Sequence, residues 1–342
     1  MKKLLFTLLL LLNVSFMFGQ KKDFTMLQWN IWQEGTVVKG GFDAIVDEVV
    51  RLKPDLVTFS EVRNYHKTRF CDRIVEALAK RGETYYSFYS DDSGLLSRQP
   101  ITDSTTVYPL HNDQGTCYRA LTSVNGREVA LYTAHLDYRS CAYYNVRGYH
   151  GSTWAEIPIP TSVAEVLTFN DASVRDDAIR NFIKMAKEDI AKGRLVMIGG
   201  DFNEPSHLDW TRETKDLYDH HGLIIPWTVT LELDNAGFID SYREKYPNIL
   251  QYPGFTYPSD NKDMPTKKLT WTPKADERER IDYIFYYPDP KLQLKDAIIF
   301  GPKGCIVNNK RMEETSKDRF LEPTGTWPTD HKGLLVTFRL KK

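Results

Sequence analysis

Short, largely apolar runs, each closed by a side chain able to do chemistry, recur along this sequence. Met26 to Trp29 leads into Asn30, Leu56 to Ser60 into Glu61, Leu131 to Ala134 into His135, and Leu195 to Gly200 into Asp201 and Asn203. Runs of this length read as buried strands rather than helices. Between them lie stretches with the helical period. Phe42 to Leu52 places Ile45 and Val49 on one face, Thr68 to Lys80 spaces Phe70, Ile74 and Leu78 four apart, and Asp176 to Ile190 aligns Ile179, Phe182 and Ile183. Further strands are expected at Tyr85–Tyr89, Gly94–Ser97, Thr105–Tyr108, Cys117–Val124, Glu128–Ala134, Ile281–Tyr286, Leu292–Ile299 and Leu334–Arg339. Asn125-Gly126 makes a hairpin of the Cys117 and Glu128 runs. Such alternation constrains the chain to one layered α/β domain with much antiparallel sheet.

The first residues do not belong to that domain. Lys2 and Lys3, the Leu4–Leu12 run and the smaller residues from Ser15 to Gly19 have the layout of a secretory signal peptide, too short to span a bilayer. Residues 1–19 are therefore expected to be removed, leaving Gln20 as the mature start, residues 20–342 as a single catalytic domain and an exported protein, periplasmic or extracellular. No later run is apolar enough for a transmembrane segment, and a monomer is expected. Lys and Arg number 45 against 46 Asp and Glu. A near-neutral chain lacks the electrostatic footprint of a strong non-specific nucleic-acid binder. Export permits disulfides among Cys71, Cys117, Cys141 and Cys305; Cys117 with Cys141 is the preferred pair, because both lie near the ends of neighbouring expected strands.

Asp282 lies inside the Arg280 to Phe285 run, and Asp330-His331 precedes the last strand. If the sheet folds so that these strand ends converge, the pocket holds four carboxylates, two carboxamides and two imidazoles. That donor set suits a hard, oxygen-preferring cation such as Mg²⁺ or Mn²⁺. Singly, each residue has an ordinary reading: Asn30 as a turn former, Glu61 as a solvated acid, Asp201-Phe202-Asn203 as an Asx-turn or helix cap. His220-His221 resembles a metal pair only superficially, since adjacent residues rarely face one ion.

The joint order is more specific. Gln28-Trp29-Asn30-Ile31, Ser60-Glu61-Val62, Gly94-Leu95-Leu96-Ser97-Arg98, Thr133-Ala134-His135-Leu136, Gly199-Gly200-Asp201-Phe202-Asn203, Arg280-Ile281-Asp282-Tyr283-Ile284 and Thr329-Asp330-His331 together resemble the endonuclease/exonuclease/phosphatase (DNase I-like) superfamily over about Met26 to Phe338. The resemblance implies an α/β (α+β) fold, a four-layer sandwich of two packed mixed β-sheets flanked by helices. It implies Glu61 as principal metal ligand supported by Asn30 and Asp330, and His331 against the scissile phosphate with its tautomer held by Asp282. Asp201 would orient or deprotonate the attacking water, Asn203 would donate to a phosphate oxygen, and His135 matches a phosphate-contact position. The choice between Asp201 and His331 as general base stays open.

Tyr138 to Asp171 breaks the rhythm with aromatics and prolines of no clear period, and a segment of that kind is usually a functional loop or a disordered one. Aromatics with arginine near a phosphate site can stack a sugar or base and bind a second anion, which makes Arg147 and His150 candidate substrate contacts; the alternative is that the segment packs on the domain and only shapes the cleft. The favoured function is an exported metal-dependent phosphodiesterase or phosphatase acting on a small phosphorylated molecule: a sugar, inositol or lipid headgroup phosphate. The alternatives are a secreted DNase-like nuclease, whose partner would be nucleic acid, and a non-catalytic binding protein on the same scaffold.

Overall fold

The computed structural model describes residues 22–111 and 115–341; the expected signal peptide lies outside the described residues. In chain order the strands are β1 (Lys22–Asn30), β2 (Leu56–Ser60), β3 (Ser93–Ser97), β4 (Asp103–Tyr108), β5 (Thr116–Val124), β6 (Arg127–His135), β7 (Leu195–Asp201), β8 (Ile239–Asp240), β9 (Asp282–Tyr286), β10 (Leu292–Phe300), β11 (Cys305–Val307), β12 (Lys310–Met312), β13 (Phe320–Leu321) and β14 (Gly333–Leu340). The helices are α1 (Gly41–Leu52), α2 (Phe70–Lys80), α3 (Ala142–Val146), α4 (Val163–Asn170), α5 (Arg175–Ala191), α6 (Thr228–Asn235) and α7 (Ser241–Lys245). Two six-stranded sheets form, in the orders β13-β10-β14-β1-β2-β3 and β4-β5-β6-β7-β9-β8.

Apolar patterning explains the layers. The inner faces of both sheets supply Met26, Leu56, Leu131, Met197, Ile284, Val336 and Phe338 to one core between them. On the outer face of the first sheet, α1 and α2 bury Ile45, Val49, Phe70, Ile74 and Leu78 against Leu27, Val57 and Phe59. On the second, α5 lays Ala178, Ile179, Phe182 and Ala186 on Tyr132, Val196 and Ile198. The expected four-layer sandwich is therefore the observed fold. Each large apolar side chain so buried contributes roughly 1.5–3 kcal/mol, more than any of the surface ion pairs can.

Glycine sets how closely the sheets approach beside the polar strand ends. A Cβ on Gly199 would lie 2.3 Å from Thr58 Oγ1 and 2.9 Å from Met26 Cε, both on the facing sheet. Gly199 thus leaves room for the Thr58 and Met26 side chains of the facing sheet, while a Cβ on Gly200 would instead meet Ala134 on neighbouring β6.

Several expectations need correction. Tyr85–Tyr89 is no strand and makes only the bridge Tyr86–Ser97. The aperiodic segment from Tyr138 to Asp171 contains α3 and α4. The start of α4 was legible as Ser162-Val163-Ala164-Glu165, because Ser162 Oγ accepts from the Glu165 amide at 3.2 Å. In and just before α3, Cys141, Tyr143, Tyr144 and Val146 join Trp210, Ile225 and Trp227 in a separate core. The preferred Cys117–Cys141 disulfide is absent: all four cysteines are buried free thiols. Cys117 sits on β5 opposite Ala134, whereas Cys141 Sγ faces the carbonyls of Tyr138 and Asn203 at 3.1 and 3.4 Å.

Candidate active site

Strand direction brings the polar residues to one edge. β1 and β2 are parallel and pair Asn30 with Ser60 at their ends. β6 and β7 are parallel and pair His135 with Asp201. β9 runs antiparallel to β7, so its first residue, Asp282, lies opposite Asp201. β14 runs antiparallel to β1 with Gln28 opposite Leu334, which carries the preceding Asp330-His331 to the same edge. Residues that end parallel strands thus meet residues that begin antiparallel ones.

Hydrogen bonds then tie the two sheets together. Ser60 Oγ donates to the Ala134 carbonyl and accepts from the Asp201 amide, both at 2.9 Å. Asn30 Nδ2 donates to Glu61 Oε1 at 3.1 Å and to Asp201 Oδ2 at 2.9 Å. The other oxygen of Glu61 accepts from the Gln33 amide at 3.0 Å. His331 Nδ1 lies 2.9 Å from Asp282 Oδ2, and its Nε2 lies 3.7 Å from Asp201 Oδ2. Asn203 gives one amide N–H to the Leu136 carbonyl at 3.0 Å, leaving the second for a ligand.

The backbone here is held in costly conformations. Trp32, Gln33, Glu34, Glu61 and Asn203 all have left-handed φ, between 40° and 62°, a region that costs a non-glycine residue on the order of 1 kcal/mol or more. Buried Glu34 helps hold that turn, accepting from the Arg63 amide, Thr68 Oγ1 and Arg73 Nη1.

Charges are displaced from their ordinary values. Burial pushes the Asp201 carboxyl up to about 6, with His331 opposing and Asp282 adding to the rise. Burial likewise raises Asp330 to about 7. Burial works against a charged imidazole, yet Asp282 and Asp201 outweigh it and carry His331 up to about 10. His135 behaves the same way beside Asp92, also reaching about 10 against the burial cost.

Asp92 is the residue that sequence reasoning missed. Its Oδ2 lies 2.5 Å from His135 Nδ1, so the second imidazole has its own carboxylate. The signal was available: Asp91-Asp92 immediately precedes β3, which runs antiparallel to β2, the same placement as Asp282 and Asp330. Asp92→Asn is expected to lower turnover about 10-fold, with partial rescue by Asp92→Glu. Because Asp92 keeps His135 charged toward pH 10, its loss should move the alkaline limb of the activity profile to lower pH. An unmoved limb would mean that His135 charge plays no part.

Glu61, Asp92, Asp201, Asp330, His135 and His331 all line one cleft of about 310 Å³. Five carboxylates, Asp282 included, face two imidazoles and Arg63, an excess of negative charge in a buried place that a hard cation would offset. The Asp201, Asp282 and His331 ligand atoms lie within 4.8 Å of one another, with His331 Nδ1 already engaged by Asp282. Glu61 and Asp330 line the same cleft, and Asn30 Nδ2 donates to the Glu61 carboxylate.

The two proposed substrate contacts are placed elsewhere. Arg147 is buried and donates to the carbonyls of Asp276, Tyr143 and Tyr218 and to Glu279 Oε1, a structural role. His150 Nδ1 accepts from the Ser152 amide and its ring packs edge-on to Phe169; neither residue lines the cleft. His220 stacks on Trp210 at 3.6 Å.

A sequence model of the Endonuclease/Exonuclease/phosphatase family matches residues 27–331. An uncharacterized protein of Caenorhabditis elegans, F14F9.5, is 28% identical over 294 residues, 83% of this chain and 85% of that protein. Among solved structures, D. rerio TDP2 complexed with single strand DNA product is similar with a TM-score of 0.51 at 18% identity, covering 92% of this chain and 98% of that one. The human Nocturnin catalytic domain with bound sulfate anion gives 0.50 at 15% identity, covering 93% and 95%. Members of the matched family are hydrolases acting on phosphoester bonds, typically with a divalent metal. With the matched span running from Leu27 in β1 through His331, the chain belongs to the endonuclease/exonuclease/phosphatase family.

Proposed function

We propose that this protein is an exported, divalent-metal-dependent phosphoester hydrolase acting on a small phosphorylated molecule. The supporting observation is His331, held between Asp282 and Asp201, lining one cleft with Asp201, Glu61 and Asp330. Mg²⁺ or Mn²⁺ held by Glu61 and Asp330, when bound, would withdraw charge from the non-bridging phosphoryl oxygens. Asp201 takes the proton of the attacking water; its raised pKa makes it a better acceptor than an ordinary carboxylate. His331, kept charged by its flanking acids, donates to the phosphoryl group, and His135 and Asn203 donate from the second sheet. Asp282 fixes which His331 nitrogen faces the phosphate.

A nuclease is the second reading, favoured by the similar fold of D. rerio TDP2, which was complexed with single strand DNA product. Against it stand the near-neutral charge balance and a cleft with Arg63 as its arginine. A screen of nucleic acids, phospholipids and sugar phosphates with added Mg²⁺ or Mn²⁺ tests both. Phosphate release from small esters without plasmid nicking is expected; nicking without small-ester turnover would replace this reading with the nuclease. If metal-loaded protein hydrolyses nothing, while Glu61→Ala leaves ligand binding intact, the protein is a binding module. Export is checked by sequencing the secreted product, expected to begin at Gln20.

A further inference from the structure

Beside its carboxylates the cleft has an aromatic wall. Trp154, from the segment between Tyr138 and Asp171, and Trp271, from the connection that precedes β9, stack with centroids 4.9 Å apart and planes 26° from parallel. Tyr144 meets Trp154 edge-on at 4.9 Å. All three line the same cleft as Glu61, Asp201 and His331. Trp271 remains 48% exposed, more than is usual for a tryptophan. The wall is also built in advance. Arg147 bonds the carbonyls of Tyr143 and Asp276 and so ties the Trp154 segment to the Trp271 connection, and Glu277 holds the Trp271 amide. A preformed wall costs a ligand little ordering entropy.

We propose that Trp154 and Trp271 form a ring-stacking subsite that selects phosphate esters of a sugar. The proposal rests on the phosphoester hydrolase reading above. The C–H face of a sugar ring is apolar and complements the electron-rich indole face, while its hydroxyls need polar partners at the ring edge. Those partners line the same cleft. Gln33, Arg63 and Asp92 are there. A nucleobase would stack on indole as well, but it offers few hydroxyls to such a rim. The cleft of about 310 Å³ is at the small end of ligand sites, suited to one ring and its phosphate rather than to a strand.

The test compares glucose phosphate, ribose phosphate, adenosine monophosphate and glycerol phosphate, each as monoester and methyl diester, with the Mg²⁺-loaded full chain. Glucose and ribose phosphates are expected to be preferred to glycerol phosphate. Trp271→Ala should shrink that preference in kcat/KM by about three- to tenfold, the range of one aromatic stacking contact. Calorimetric binding of glucose phosphate should weaken by the same factor, relative to inorganic phosphate. An unchanged preference, or equal losses on ring and acyclic esters, overturns the subsite. A preference for adenosine monophosphate over ribose phosphate overturns the sugar in favour of a base. If no ester is hydrolysed but glucose phosphate binding still depends on Trp271, the hydrolase reading falls and the subsite stands. Hydrolysis indifferent to Trp271 does the reverse.

Discussion

Asp201→Asn is expected to lower kcat by about 10²-fold or more with the fold retained. Three interactions meet at this carboxylate. Asn30 Nδ2 donates to Oδ2 at 2.9 Å, His331 Nε2 lies 3.7 Å from the same oxygen, and the Asn203 amide donates to Oδ1 at 2.9 Å. Asparagine preserves the shape but removes the charge that accepts a proton and helps keep His331 protonated. His331→Ala removes the other half of the same device and should cost a similar factor. Because the two act as a unit, the double variant should lose about as much as either single one. The measurement is kcat on the best ester of the panel, with thermal melting as the check on folding. Near-normal turnover in either single variant, or losses that multiply in the double, would show that no shared proton-handling unit exists.

Arg175→Ala is expected to be the most damaging substitution away from the chemistry. Arg175 is 1% exposed. Its guanidinium donates to the carbonyls of Asp137, Arg139, Ser140 and Asn170 and to Asn170 Oδ1, and its Nε lies 3.5 Å from Glu204. Truncation removes the cation beside buried Glu204 and leaves several buried carbonyls without this donor. Breaking a buried pair in this way costs about 3–5 kcal/mol. Arg180 provides the contrast, since its side chain is 53% exposed while it pairs with Asp176 and Glu232; Arg180→Ala should cost about 1 kcal/mol or less. Urea unfolding midpoints of the two variants decide the matter. Equal midpoints would mean that the chain after His135 does not depend on this anchor. Activity should fall with Arg175→Ala as well, because the anchored chain carries Tyr138 and leads to Trp154 on the cleft wall.

Much of the fold was legible because burial imposes period. The 3.6-residue spacing in Phe42–Leu52 and Asp176–Ile190 and the short runs before Asn30, Glu61 and Asp201 placed α1, α5, β1, β2 and β7 within a few residues. Elements with weak apolar patterning were not legible. β8 has two residues and β13 two, too few to show alternation. α6 begins where the Glu204 side chain accepts from the Val229 amide at 2.7 Å, a cap supplied from distant sequence. Tyr85–Tyr89 has a strand-like composition but pairs only once, because beyond β3 the sheet ends.

The sequence by itself determined which side chains are available for chemistry and, through strand-length apolar runs, that most of them sit at strand ends. It also carried the family's motif order, and so the two-sheet architecture. Tertiary structure alone decided which ends share an edge. Pairing direction, not local composition, brings the last residues of β2 and β7 beside the first residue of β9 and the approach to β14. The same rule brought Asp92 to His135, while packing of the segment after β6 against later loops took Arg147 into a buried carbonyl cage. An arginine's sequence neighbourhood gives its charge, while its role depends on which backbone carbonyls and carboxylates the fold packs around it.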